Sequence, residues 1–228
     1  MGRREEYRAA LQPLTRWEPY LLEQSGLPGA RANLELVAAA ADLASEQQAL
    51  GWLDSGDEFL ALCGAVTLGR LLAEGRRDVL PRLRQLASDQ RWRIREGVAM
   101  ALQRWGDADV AALARVLEGW AAGNRYEQRA AAAGLCEPRL LKPREVALSA
   151  LDLLDSITMT MAGADDARGD GFRVLRQAMG YCWSVAVAAL PDPGLERFTR
   201  WERSTDPHVG WIVRENLKKD RLKRLVQS

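Results

Sequence analysis

The stretch Asp89-Gln90-Arg91-Trp92-Arg93-Ile94-Arg95-Glu96 decides how this chain is read, because a turn acid is followed by a helix start and then, six residues on, by an arginine. It is echoed by Asp206-Pro207-His208-Val209-Gly210-Trp211-Ile212-Val213-Arg214-Glu215, and Arg129 occupies the matching place in Tyr126-Glu127-Gln128-Arg129-Ala130-Ala131. Arg95 and Arg129 lie 34 residues apart, and Arg129 and Arg214 lie 85 apart, about two repeat lengths with a small insertion. Self-similarity at such intervals is the mark of a chain built from stacked helical hairpins.

Outward from that stretch, apolar residues recur at three- and four-residue steps. Ile94, Val98, Ala101, Leu102 and Trp105 form one stripe, and Val146, Ala150, Leu153, Leu154, Ile157 and Met161 form another. No alternating strand pattern is sustained, so the segments are amphipathic helices with one buried face. Breakers such as Pro28-Gly29, Ser55-Gly56, Gly106-Asp107 and Pro191-Asp192-Pro193-Gly194 separate them. Helices are expected near 32–50, 57–74, 77–87, 92–105, 109–121, 125–136, 143–162, 171–190, 194–204 and 208–226. One or two more precede Gln24, where Thr15 with Glu18 is a candidate capping box.

The turn Asp followed six residues later by Arg, as in Asp89 and Arg95, resembles the HEAT repeat over roughly residues 30 to 226. The closing Trp211-Ile212-Val213-Arg214-Glu215-Asn216-Leu217-Lys218-Lys219 is similar to bacterial HEAT-repeat proteins grouped with DNA alkylation-repair proteins. The resemblance implies an all-α, right-handed α-α superhelix of five to six antiparallel helix pairs. It further implies a single solenoid domain over 1–228, with 1–29 as N-terminal capping helices, and a concave face that holds a macromolecular partner, protein or DNA.

Charge narrows the partner without naming it. Thirty-two basic and 31 acidic side chains leave a net +1, which excludes a uniformly basic nucleic-acid binder, so any electrostatic partner must meet a local patch. Residues 1–60 carry five Arg against ten acids, whereas residues 169–228 carry eleven basic residues against seven acids. Cys63, Cys136 and Cys182 sit in apolar helical segments and read as reduced core thiols in a cytoplasmic protein. No apolar run is long enough for a membrane span, and no membrane partner is expected. His208 is the only histidine, which leaves almost nothing for a His-based triad or a multi-histidine metal site. The Asp166-Ala167-Arg168-Gly169-Asp170-Gly171 run lacks the ligands a calcium loop needs at its third and twelfth positions. No metal and no cofactor are expected.

The binding candidates are therefore Trp92, Arg93, Arg125, Arg173, Trp211, Lys218, Lys219 and Arg221. Arg beside Trp suits a surface that stacks bases or grips anions, and Arg91 and Arg104 also lie off the apolar faces. The competing reading of these cations is an ordinary solvated helix face. Trp105 and Trp120 fall on apolar stripes and read as core. Asp89, Arg95, Arg129, Asp206 and Arg214 are expected to form the ladder between repeats, with Arg95 on Asp89 and Arg214 on Asp206 or a neighbouring turn. Arg176 belongs to the same row. The basic closing helix serves the helix dipole or a nucleic-acid backbone.

One enzymatic reading comes from a second resemblance. Leu151-Asp152-Leu153-Leu154-Asp155 is similar to the Trp-Asp-x-Val-Asp helix segment of the HEAT-like alkylpurine DNA glycosylases. That resemblance implies Asp155 as the catalytic acid acting on alkylated purines. Leu151 stands where the family has Trp and cannot supply its cation-π contact.

Overall fold

The computed structural model describes residues 2–226, and among them there are helices and turns but no strand. Two compact units divide between Ala108 and Asp109. The first contains α1 (Arg3–Leu11), α2 (Glu18–Glu23), α3 (Leu34–Leu43), α4 (Glu46–Asp54), α5 (Glu58–Ala73), a 3₁₀ turn (Arg77–Val79), α6 (Leu80–Leu86) and the first limb of α7 (Trp92–Ala121). The second contains the remaining limb of α7, α8 (Arg125–Leu135), α9 (Arg144–Met161), α10 (Asp170–Ala189), α11 (Pro191–Glu202), α12 (Pro207–Leu217) and α13 (Asp220–Val226). The limbs of α7 part at Asp109, whose backbone is non-helical (φ −151°, ψ 78°) and whose carboxylate accepts the Ala112 N–H at 2.9 Å as a fresh N-cap.

In the first unit α5 is the centre, since its apolar residues run all round the helix rather than along one stripe. Asp57 caps it by accepting from the N–H groups of Phe59 and Leu60. Around it lie α2, α3, α4 and α6, and α1 packs on α3. The shared core is built from Leu11, Leu21, Leu36, Trp52, Phe59 and Leu62. Glycine allows two helices to approach closely: a Cβ at Gly69 of α5 would overlap the backbone of Ala101 in α7. Arg70 also leaves α5 to close α3, donating to the carbonyls of Ala41 (2.9 Å) and Ala44 (2.6 Å) that the helix end leaves open.

The second unit is organised by α10, which touches α8, α9, α11, α12 and α13. Two buried polar pins hold it. Asn216 of α12 accepts from Ser184 N and donates to the carbonyls of Met179 and Ile212, each at 2.8 Å. Trp183 donates its indole N–H to Thr158 Oγ1 of α9 at 3.0 Å.

Several boundaries differ from the sequence reading. The expected helix 32–50 breaks at Ala44, because Ser45 and Gln48 form a capping box that restarts the chain as α4. The expected 208–226 helix breaks after Leu217 and resumes at Asp220. Thr15 and Glu18 make no capping box: α2 starts after Trp17 without a side-chain cap, and Glu18 accepts the indole N–H of Trp52 at 2.9 Å. Trp105 and Trp120 are buried as expected, and all three cysteines are buried free thiols. Among the described residues no helix is long and apolar enough to cross a membrane.

Candidate partner-binding site

Half of Trp92 is exposed, and so is half of Leu34. Trp92 is the first residue of α7 and Leu34 the first of α3, so each stands at a helix mouth instead of on a stripe that packing would cover. Between them lies a cavity of about 200 Å³ with Leu62 of α5, Ala30 and Ala32 also on its walls. Three charged residues complete it: Arg31, Arg93 and Glu96.

Arg93 is the fixed member of that set. Its guanidinium lies 4.4 Å from the centroid of the Trp92 ring, while Nη1 donates to Glu58 at 2.9 Å and Nη2 to the Gly29 carbonyl at 3.3 Å. Its Nε is buried without a hydrogen-bond partner. Arg93 also lines a second cavity of about 360 Å³, with Leu22, Leu27, Pro28 and Phe59 and the carboxylates of Asp57 and Glu58. Asp57 already caps α5 and Glu58 already holds Arg93. Arg31 and Glu96 have no side-chain hydrogen bond or ion pair among the described residues, so their charges face solvent uncommitted.

The five arginines that lay off the apolar faces are all in ion pairs. Arg91 grips Asp89 through Nε (3.0 Å) and Nη2 (2.9 Å), Arg104 reaches Asp42, Arg125 forks onto Asp166 at 2.8 and 2.9 Å, and Arg173 pairs with Asp170. Burial disfavours the charged form of Asp89, but the Arg91 hydrogen bonds more than offset it and hold the carboxyl below its usual range. Arg125 likewise holds Asp166 low. The Asp-Arg relation at residues 89 and 95 exists in altered form. Arg95 donates to the backbone carbonyls of Asp89 (2.5 Å) and Gln90 (2.9 Å), because the carboxylate is occupied by the nearer Arg91.

Asp206 turns out to be a junction. Its carboxylate caps α12 through the N–H groups of His208 and Val209 and also accepts from Gly163 N after α9 at 2.9 Å. Burial works against its ionisation, and these three backbone donors prevail, so its pKa is lowered. Arg214 does not bond to it; the side chain is exposed. Arg176 instead meets this turn, its Nη1 lying 3.0 Å from His208 Nδ1 and its guanidinium 4.7 Å from the Trp211 ring centroid. Trp211 is half-buried, with its ring against Gly180 of α10. Arg129 is engaged within the structure and is not a free cation.

In the closing segment Lys218 pairs with Glu215 at 2.5 Å. Arg221 donates to the Tyr181 hydroxyl at 2.8 Å, and both Arg221 and Lys219 lie within 6 Å of the Tyr181 ring centroid (5.0 and 5.7 Å). Arg221 of α13 and Lys219 just before that helix therefore clasp an aromatic of α10.

Asp155 is partly exposed on α9. Its Oδ1 accepts the indole N–H of Trp201 at 2.7 Å, and Arg200 approaches the other oxygen at 3.4 Å. Neighbouring Asp152 pairs with Arg197, and Leu151 is fully buried. Among the described residues no cluster of three His, Cys, Asp or Glu side chains is placed to hold a metal ion.

Arg31, Leu34, Glu96 and Glu58 were not singled out by sequence reasoning. The available signal was an exposed-type apolar residue, Leu34, directly after the Asn33 cap. Comparison with known proteins gives no family model, no curated protein and no solved structure that matches the chain.

Proposed function

We propose that this chain is a non-catalytic, HEAT-like helical-repeat scaffold that holds a partner protein, with the Trp92–Leu34 cavity as its contact. The repeat reading is supported within each unit by next-but-one packing: α1 beside α3 beside α5, and α8 beside α10 beside α12. The contact is supported by a single observation, two half-exposed large apolar side chains flanking an apolar hollow. Exposed aromatics in pockets are the usual energetic centres of protein interfaces. Protein is favoured over DNA because the cations that would meet phosphates are engaged internally: Arg93 by Glu58, Arg125 by Asp166, Arg173 by Asp170 and Lys218 by Glu215.

The test is to identify a co-purifying protein, reconstitute the complex from purified components, and repeat it with Trp92→Ala. Binding is expected to fall by more than about tenfold, the size of a hot-spot loss. A reconstituted complex indifferent to Trp92 would remove the contact, and binding to duplex DNA with a steep salt slope would favour nucleic acid instead.

A second reading, a DNA glycosylase acting on alkylated purines, is supported by the aromatic that Trp201 brings to Asp155 where Leu151 cannot. Its test is release of alkylated purine from methylated DNA by wild type against Asp155→Ala.

A further inference from the structure

The cavity beside Trp92 is specific enough in size and charge to describe what enters it. We propose that it takes a linear segment of a partner protein that inserts one bulky apolar side chain, with a carboxylate beside that side chain on Arg31 and a basic group on Glu96. This rests on the protein-scaffold reading and specifies its ligand.

Volume chooses between kinds of occupant. Small-molecule sites usually enclose about 300–1,000 Å³, whereas this hollow measures about 200 Å³. It suits one large side chain, not a cofactor or drug-sized substrate. The walls are apolar, with Leu34, Leu62 and the Trp92 ring in contact range of whatever enters. Arg93, tethered to Glu58 and Gly29 and lying over Trp92, limits the motion of the indole, so little side-chain entropy is lost on binding.

Charge chooses the flanks. Asp57 and Glu58 are satisfied inside the molecule, so they exert no unpaired demand on a ligand. What remains is one uncommitted guanidinium, Arg31, and one uncommitted carboxylate, Glu96. Glu96 lies one turn after Trp92 on α7, the spacing that puts two side chains on one helix face. Arg31 lies in the loop before α3 and offers a fork suited to a carboxylate. A segment that carries both signs around its apolar anchor matches both.

The probe is a fluorescein-labelled ten-residue peptide in a Gly-Ser frame, with central leucine, phenylalanine or tryptophan preceded by aspartate and followed by lysine. Controls carry alanine at the centre or serine at both flanks. Binding to the full chain is read by anisotropy, and its location by the Trp92 indole N–H resonance, identified from a Trp92→Phe spectrum. Expected are saturable binding with a shifted Trp92 signal, loss of at least about tenfold with the alanine-centred peptide or with Trp92→Ala, and loss of roughly tenfold with Arg31→Glu. The Arg31→Glu loss should be absent for the serine-flanked peptide.

No binding by any apolar-centred peptide, equal binding of the alanine-centred one, or an unmoved Trp92 signal overturns the proposal. If the reconstituted partner complex still depends on Trp92 in that case, the scaffold reading stands and only the ligand's description fails. Dimerisation of the wild type that Trp92→Ala abolishes overturns it differently, by making a second copy the occupant.

Discussion

Trp201 of α11 donates its indole N–H to Asp155 of α9 at 2.7 Å, so the one carboxylate offered for catalysis is already tied to another helix. Under the scaffold reading, purified protein releases no alkylated purine from methylated DNA. Asp155→Ala then lowers stability by about 1 kcal/mol, the usual net value of an intramolecular hydrogen bond, seen as a reduced denaturation midpoint. Release by wild type that disappears in the variant would reverse the preference between the two readings.

Asp42 joins α1 to α3 and α7, accepting two hydrogen bonds from Arg4 (2.6 and 2.8 Å) and one from Arg104 at 2.5 Å. Burial opposes its ionisation, and the two arginines outweigh burial, so the folded pKa is lowered. A lowered carboxylate pKa contributes stability that is present above the unfolded value, about 3.9, and is lost as pH falls through the folded value. Asp42→Asn should therefore flatten the acid limb of the stability curve below roughly pH 4 relative to wild type. Unchanged acid limbs in the two proteins would show that the cluster does not couple to folding.

Asn216 is fully buried and makes three hydrogen bonds, two to Ser184 and Met179 of α10 and one to Ile212 of its own helix. Asn216→Leu leaves the Ser184 N–H without its acceptor and should cost about 1–3 kcal/mol, read from urea unfolding with an unchanged slope. A neutral effect would mean that α10 and α12 repack without the pin.

Gly69 and Ala101 bring α5 and α7 into backbone contact. Gly69→Val forces the helices apart and should destabilise by about 1–3 kcal/mol or more, whereas Gly75→Asn, in a left-handed turn with open space for a Cβ, should cost well under that. Thermal melts of the two variants give the comparison directly.

Helix placement was legible because a 3.6-residue stripe survives in any local window, as in Ile94, Val98, Ala101 and Trp105. The break at Ser45 was not, because apolar residues at helical spacing continue across it, Leu43 and Ala44 before and Ala49 and Leu50 after, and only the Ser-x-x-Gln spacing marks it. The site was half legible. Trp92 stood out by its position at a turn, but its companions are far away in sequence: Leu34 and Arg31 come from the α3 approach, and Glu58 lies 35 residues before Arg93. The same holds for Arg104 with Asp42 and Arg125 with Asp166, separated by 62 and 41 residues. Local spacing suggested Asp89 for Arg95, yet Arg91 reaches that carboxylate first, since two residues suffice for a fork in a turn. Long-range pairing depends on which helices meet, and a single chain's periodicity does not encode that.

The internal engagement of so many guanidinium groups also sets a tempo. With a net charge of +1 and one uncommitted charge of each sign beside the hollow, encounter with a partner there proceeds near the unsteered rate, about 10⁵–10⁶ M⁻¹s⁻¹, and added salt changes it little. Selectivity must then reside in residence time, governed by how slowly an anchored side chain leaves the hollow beside Trp92.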